Sequence, residues 1–163
     1  WFVKYEAELR ENLQESFVEL EAQAIINGVI LTTKIDRINL YLDGSFEIID
    51  YKTGTLPAPK DIKSGLEPQL AVEAIVLSKG EIKNYSGLKI SQIKNLQYQN
   101  LKGKDQNDVK NVSDVEELIL AADVGILKLL KIFNGEDVGY VCCPNFDIYK
   151  EDDYWHLGRV GEL

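Results

Sequence analysis

The chain has 163 residues and a mass of 18.4 kDa, which suits a single domain with one hydrophobic core. Hydrophobic residues make up 45% of it and charged residues 28%, a composition that argues against global disorder. Its 18 basic and 27 acidic residues give a net charge of −9, which argues against a protein that holds nucleic acid or an anionic membrane by bulk charge. An enzyme that acts on nucleic acid is not excluded, because carboxylates that bind a catalytic metal are themselves acidic.

The cysteine and apolar patterns exclude further classes. Cys142 and Cys143 are adjacent and no C-x-x-C pair exists, so we expect no disulfide framework and no zinc site or iron–sulfur cluster formed by this chain alone. No apolar run reaches the ~18 residues of a membrane span, and no signal peptide opens the chain. Because the sequence lacks Met and begins at Trp1, we expect a fragment of a longer cytoplasmic protein, folded as one domain over residues 1–163.

The N-terminal half predicts a helix followed by an antiparallel meander. The helix is expected from Phe2 to about Asn12, where apolar residues recur at helical spacing. The predicted strands of the meander are 17–26, 29–41 and 45–51. Asn27-Gly28 between the first two strands is a strong hairpin signal, and Leu42-Asp43-Gly44 joins the second to the third.

The C-terminal half alternates helices with one further strand. The elements predicted there are a helix at 68–78, a strand at 88–98, an exposed loop at 102–111 and a long helix at 113–133. Pro68 suits the first turn of a helix and Gly80 its end, while Ser113 and Glu116 form a capping-box pattern. This order predicts an α/β fold with a mixed central sheet, a three-stranded antiparallel meander and flanking helices.

Two aspartates and a lysine gather at one end of the predicted meander. Asp50 and Lys52 lie two residues apart on a strand, so their side chains share a face. If residues 42–44 form a three-residue loop with Gly44 in the left-handed conformation, Asp36 lies opposite Asp50, with Cβ atoms ~5 Å apart. A two-residue turn would place Asp36 on the other side of the sheet. The three-residue loop is favoured because it groups the apolar residues of both strands on one face.

This arrangement suits a divalent cation. Carboxylates set into an apolar surface are costly unless they are paired or bind a metal. Asp36 and Asp50 could together hold Mg²⁺, which prefers oxygen ligands, while Lys52 holds an attacking water or offsets charge on a phosphate. The alternative is a structural salt-bridge cluster in which both aspartates pair with Lys52 and Arg37.

The same residues resemble the motif of PD-(D/E)XK nucleases, with Asp36 on one strand and Asp50-x-Lys52 on the next. Residues 50–54, DYKTG, match the signature of the RecB-like exonucleases in that superfamily. Other segments are similar, in order and spacing, to the C-terminal nuclease domain of the AddB family in its alphaproteobacterial form. These segments are 31–38, 68–74, 96–103 and 156–160.

The resemblance implies a role for individual residues. It makes Asp36 and Asp50 metal ligands together with the backbone carbonyl of Tyr51, and Lys52 the catalytic lysine. Gln69 matches the glutamine motif at the start of the following helix, where it would face the scissile phosphate. The implied cofactor is Mg²⁺, with Mn²⁺ as a substitute.

The resemblance also implies partners and a process. The partners would be DNA, at duplex ends and along the cleaved strand, and a helicase–nuclease subunit of the AddA type. The function would be that of a DNA exonuclease domain that processes double-strand breaks for recombinational repair. The alternative is a catalytically inactive nuclease-fold module that guides DNA or holds the AddA partner. The intact set of Asp36, Asp50 and Lys52 favours the enzyme.

Two further glutamates have open roles. Glu73 stands where many relatives have a tyrosine, one helical turn after Gln69, and either assists the metal or lies on the surface. The surface position is favoured because glutamate is usually exposed. Glu19 would neighbour Asp36 across a two-residue Asn27-Gly28 turn, as a third acid or, the favoured interpretation, as a solvated strand residue.

Histidine usage departs from the family pattern. RecB-like nucleases generally have a histidine on an upstream helix, whereas the only histidine of this chain is His156. His156 and Arg159 could contact phosphate, but a packing role is favoured because Tyr154 and Trp155 lie beside them.

Overall fold

A six-stranded mixed sheet forms the centre of the computed structural model, which describes residues 2–85, 88, 90, 92–102 and 109–134. Its strands are β1 (Leu13–Ile26), β2 (Val29–Tyr41), β3 (Phe46–Lys52), β4 (Glu81–Ile82), β5 (Ile93–Asn100) and β6 (Val109–Asn111). They lie in the order β4-β1-β2-β3-β5-β6. β3 and β5 run parallel and the other neighbours antiparallel, which confirms the predicted α/β fold with a mixed sheet.

The helices of the described residues are α1 (Phe2–Leu9), α2 (Pro59–Ser64), α3 (Gln69–Lys79) and α4 (Val115–Phe133). α3 packs on the apolar face of the sheet, where Ile75 joins Ile38 and Ile48 in one core cluster. α4 lies against α3, with a 2.5 Å ion pair between Lys79 and Asp123 at their contact. Within the part of the chain that the structure describes, no helix is long and apolar enough to cross a membrane.

The β2–β3 loop has the predicted three-residue form. The Tyr41 N–H donates to the Ser45 carbonyl at 2.9 Å, and Gly44 has a φ of +81°. Leu40 therefore pairs with Phe46, which confirms the predicted register. The Asp43 carboxylate accepts a 2.9 Å hydrogen bond from the Ser45 N–H, which holds the loop closed from within.

The side chains of the predicted strand 17–26 do not alternate strictly between the two faces of the sheet. Phe17 pairs with Ile38 and Leu20 with Ile35, and all four side chains belong to the core. Partners three residues apart on each strand can share a face only if the alternation reverses between them. Glu19 lies at this reversal with a φ of 52°, and no Glu19–Asp36 pair forms in the ladder.

Several short elements were not predicted from the sequence. α2 and β4 were not predicted, and β6 lies at the end of the segment predicted as an exposed loop. Elements of two to six residues are too short to show a periodic pattern of apolar residues. The predicted Ser113–Glu116 capping box is wrong. α4 instead begins after Asp114, whose φ is 55° and whose side chain makes no capping hydrogen bond. The predicted features around Cys142, Cys143 and His156 lie outside the described residues.

Gly80 ends α3 where its backbone lies against that of Gln23 in β1. A Cβ atom added at Gly80 would lie 2.1 Å from the carbonyl oxygen of Gln23 and 2.6 Å from that of Val76. Both are backbone atoms, so neither can move without distorting a strand or a helix. Gly80 is therefore required by close packing.

We expect Gly80→Ala to lower the free energy of unfolding by about 1–3 kcal/mol, because overpacking forces the backbone apart. Gly125 is the matched control, since it lies inside α4 and an added Cβ meets no atom within 4 Å. Gly125→Ala should raise the free energy of unfolding by about 0.5–1 kcal/mol, as alanine is the better helix former. Urea denaturation of both variants measures the two effects, and equal changes would contradict the role given to Gly80.

Candidate active site

Asp50, Lys52 and Gln69 form a closed ring of polar contacts where the end of β3 meets the start of α3. The Lys52 ammonium lies 2.9 Å from Asp50 Oδ2 and donates to Gln69 Oε1 at 2.6 Å. Gln69 Nε2 completes the ring by donating to Asp50 Oδ1 at 2.5 Å. Each side chain therefore fixes the orientation of the other two.

Asp36 lies beside this ring on β2. Its Oδ2 accepts a 2.9 Å hydrogen bond from the backbone N–H of Tyr51, the residue between Asp50 and Lys52. The β2–β3 ladder ends with Arg37 paired to Ile49, so Asp36 and Asp50 are the next residues of the two strands. The Asp36 charge acts on both Asp50 and Glu73, which places it on the face that α3 covers. The structure thus brings together Asp36, Asp50, Lys52 and Gln69, as the sequence predicts; their chemical roles stay predictions.

Lys52 also contacts the neighbouring parallel strand. Its Nζ lies 5.5 Å from the centre of the Tyr98 ring, and Tyr98 pairs with Asp50 across the β3–β5 ladder. The ammonium therefore lies between an acidic partner and an aromatic face, both of which stabilise its charge.

Arg37 does not join this cluster. Its guanidinium donates to Glu6 of α1 at 2.6 Å and to the Tyr51 hydroxyl at 3.2 Å, on the opposite face of the sheet. The alternative in which Arg37 pairs with the two aspartates is therefore wrong. The Tyr51 side chain likewise faces away from the site, so that only its backbone borders Asp36 and Asp50.

Glu73 lies in the site, and the favoured surface position is wrong. The residue is 4% exposed, and its Oε1 accepts a 3.1 Å hydrogen bond from the same Gln69 nitrogen that contacts Asp50. The sequence held a signal for this burial, because Glu73 is the only polar residue from Leu70 to Leu77. A helix segment that is apolar on every side is buried, and its one acid is buried with it.

Glu19 lies apart from the ring. It is exposed and pairs with Lys34, which also lies on the exposed side of β2. The favoured interpretation of Glu19 as a solvated strand residue agrees with this position. Among the residues that the structure describes, no three acids, histidines or cysteines are grouped so that they could hold a metal ion as their side chains stand, and the Gln69 amide lies between Asp50 and Glu73.

Burial dominates the electrostatics of the site. It raises the pKa of Asp50, an effect that the Asp36 charge adds to and the Lys52 ammonium opposes. It also raises the pKa of Glu73 to about 7, opposed by the Gln69 hydrogen bond. Among the described residues, Glu73 Oε2 is buried without a hydrogen-bond partner, and the one partner of Asp50 Oδ2 is the Lys52 ammonium. Carboxylate oxygens with unused acceptor capacity fit a hard divalent cation such as Mg²⁺.

The sequence comparison agrees with this geometry. The profile of the PD-(D/E)XK nuclease superfamily matches residues 1–137, which include every residue of the ring. The chain belongs to the PD-(D/E)XK nuclease superfamily. Nuclease activity is therefore the expected class of chemistry, and divalent metals are typical of the superfamily.

Similar proteins occur in Rickettsia. An uncharacterized protein of Rickettsia typhi is 36% identical over 101 residues, which cover 58% of this chain and 12% of that protein. Another, from Rickettsia conorii, is 38% identical over 80 residues, which cover 47% of this chain and 10% of that protein. The chain therefore spans about a tenth of the length of the curated relatives that it matches.

A solved structure is weakly similar. Protein VC1899 from Vibrio cholerae aligns with 79% of this chain and 31% of its own, at 14% identity and a TM-score of 0.35.

The raised pKa of Glu73 predicts a pH-dependent stability. An acid with a raised folded-state pKa contributes stability that is fully present below its unfolded pKa of 4.5 and lost as the pH rises through about 7. In EDTA, the wild type should therefore lose on the order of 2–3 kcal/mol relative to Glu73→Gln between about pH 4.5 and about pH 8. Urea denaturation of both proteins across this range measures the difference, and a constant difference would contradict the buried acid.

Proposed function

We propose that this chain is the Mg²⁺-dependent DNA exonuclease domain of an AddB-type subunit, a single RecB-like domain over residues 1–163. It would hydrolyse phosphodiester bonds at DNA ends during the repair of double-strand breaks. The observation that carries the proposal is the ring of Asp50, Lys52 and Gln69 with Asp36 beside it. This cluster joins two acids, a lysine and an amide where the end of β3 meets the start of α3. Such a set of groups suits the hydrolysis of a phosphodiester bond.

Asp36, Asp50 and the backbone carbonyl of Tyr51 would hold the metal. The burial of Asp50 supports this assignment, because its oxygens contact only one donor each, Lys52 and Gln69, among the described residues and so keep acceptor capacity for a metal. When bound, Mg²⁺ would supply a water of lowered pKa and would offset charge on the phosphate.

Lys52 and Gln69 would act on the phosphate. The Lys52 side chain is 28% exposed, so its ammonium can reach solvent while Asp50 holds it in place. From there it would hold the attacking water or neutralise charge that develops on the phosphate. Gln69 is the first residue of α3, and Pro68 before it makes no side-chain capping hydrogen bond, so the positive end of this helix would favour an approaching phosphate.

The AddB assignment rests on the ordered segments of the sequence, since the curated relatives carry no functional name. The family partner, an AddA-type helicase–nuclease subunit, follows from that resemblance. A net charge of −9 supports a need for such a partner, because a basic DNA channel must then come from another domain or subunit.

We expect Lys52→Ala to leave the fold intact and to lower metal-dependent degradation of a linear duplex by about 10²–10³-fold, because a charge aimed at the transition state is lost. Lys94→Ala is the matched control, since Lys94 makes an exposed 2.7 Å ion pair with Asp43 at the far end of the sheet. It should cut DNA like the wild type. The assay uses the complex with the helicase partner, in which unwinding should persist.

Other results of this experiment favour different functions. If the wild-type domain cuts no DNA in an unwinding complex, the chain is an inactive nuclease-fold module. If Lys52→Ala unfolds the domain while its folded fraction cuts normally, Lys52 and Asp50 form only a structural salt bridge.

The charge of the chain predicts weak DNA binding. In EDTA and at low salt, we expect a dissociation constant above about 1 µM for a labelled duplex, because the acids repel phosphate and no metal offsets them. A fluorescence titration of the isolated chain measures this constant. Submicromolar binding would contradict the view that the basic channel lies elsewhere.

A further inference from the structure

We propose that Glu73 is a further carboxylate ligand of the divalent metal assigned above to Asp36 and Asp50. This inference rests on the proposed function and deepens it, since it adds a ligand from α3 to those from β2 and β3. The metal would then link the helix to the sheet.

The first argument is the burial of a carboxylate without enough partners. Glu73 is 4% exposed, and its Oε2 accepts no hydrogen bond from any residue that the structure describes. A buried carboxylate oxygen that has lost its water costs free energy unless a donor or a cation replaces that water. Within the described part of the chain, the one hydrogen-bond donor to this side chain is the Gln69 amide, which contacts the other oxygen.

A second buried glutamate, Glu47, shows a carboxylate whose two oxygens both accept hydrogen bonds from protein side chains. Glu47 is 2% exposed, on the opposite face of the sheet. Its Oε2 accepts from Asn39 at 2.9 Å and from Tyr41, and its Oε1 accepts from Asn95 at 2.5 Å. Both oxygens of Glu47 are therefore satisfied by the protein, whereas one oxygen of Glu73 is left over.

The third argument is the position of Glu73 relative to Asp50. Both carboxylates accept hydrogen bonds from one atom, Gln69 Nε2, at 3.1 Å and 2.5 Å. The Asp50 and Glu73 carboxylates therefore face the same point, which the NH₂ group of the Gln69 side chain occupies. A cation placed there would meet oxygens from both side chains, and Gln69 would need only to turn its amide away.

The charge of the site points the same way. Asp36, Asp50 and Glu73 place three acids around a single lysine, Lys52, within one largely buried region. Lys52 offsets only one of these charges, and Arg37 is directed to the other face of the sheet. A divalent cation would balance the remaining two, and all three acids offer the oxygen atoms that Mg²⁺ prefers.

Metal affinity tests the inference without any need for catalysis. We would titrate the chain with Mn²⁺ by isothermal calorimetry at about pH 8, comparing the wild type with Glu73→Gln, Asp50→Asn and Glu67→Gln. Glu67 is exposed and lies two residues before Gln69, so Glu67→Gln makes the same chemical change beside the site. Circular dichroism and a thermal melt show that each variant is folded.

We expect Glu67→Gln to bind Mn²⁺ like the wild type and Glu73→Gln to bind at least about tenfold more weakly, as for loss of a metal-site residue. Asp50→Asn should abolish binding. If Asp50→Asn abolishes binding and Glu73→Gln leaves it unchanged, the role of Glu73 is overturned while the proposed function stands. If the wild type binds no metal, both are overturned.

A crystal structure of the wild-type chain grown with Mn²⁺ tests the inference even if Glu73→Gln fails to fold. The anomalous signal locates the metal, and the distance from Glu73 then decides. A carboxylate oxygen of Glu73 bound directly to the metal supports the inference. A Glu73 that remains hydrogen-bonded to Gln69, or that reaches the metal only through a water, overturns it.

Discussion

The register of β2 against β3 is the constraint on which the whole site depends. Side chains of a strand alternate between faces, so a slip of one residue would move Asp36 away from Asp50. Gly44, at positive φ, closes the three-residue loop that sets this register, and Asp43 supports it with a hydrogen bond to Ser45. A short loop at one end of the hairpin thus fixes the position of two carboxylates at the other.

The buried charged side chains on the two faces of the sheet differ in how fully they are hydrogen-bonded. On the face under α1, the buried charged groups of Glu47 and Arg37 are satisfied by neighbouring side chains. On the face under α3, Asp50 and Glu73 are buried with acceptor capacity to spare. Buried polar groups that are fully bonded stabilise one fold, whereas buried acids with spare capacity mark a place for a ligand.

Much of the fold could be predicted because its strands carry clear turn signals. The Asn27-Gly28 hairpin and the 42–44 loop fixed both registers of the meander, and the position of Asp36 opposite Asp50 follows from them. The reversal of side-chain alternation in β1 at Glu19 could not be predicted, because glutamate is not one of the residue types that favour a positive φ. The short strands β4 and β6 exist only because longer strands offer them an edge to pair with.

The sequence by itself determined the α/β class, the meander and the set of Asp36, Asp50, Lys52 and Gln69, since these depend on local spacing and on motif order. Only the tertiary structure decided where the remaining charges lie. It turned Arg37 toward α1 and buried Glu73 beside Gln69. Both outcomes depend on which helix covers which face of the sheet. The apolar residues around Glu73 indicate that it is buried, but the side chains that it and Arg37 meet come from segments distant in sequence, which local spacing does not specify.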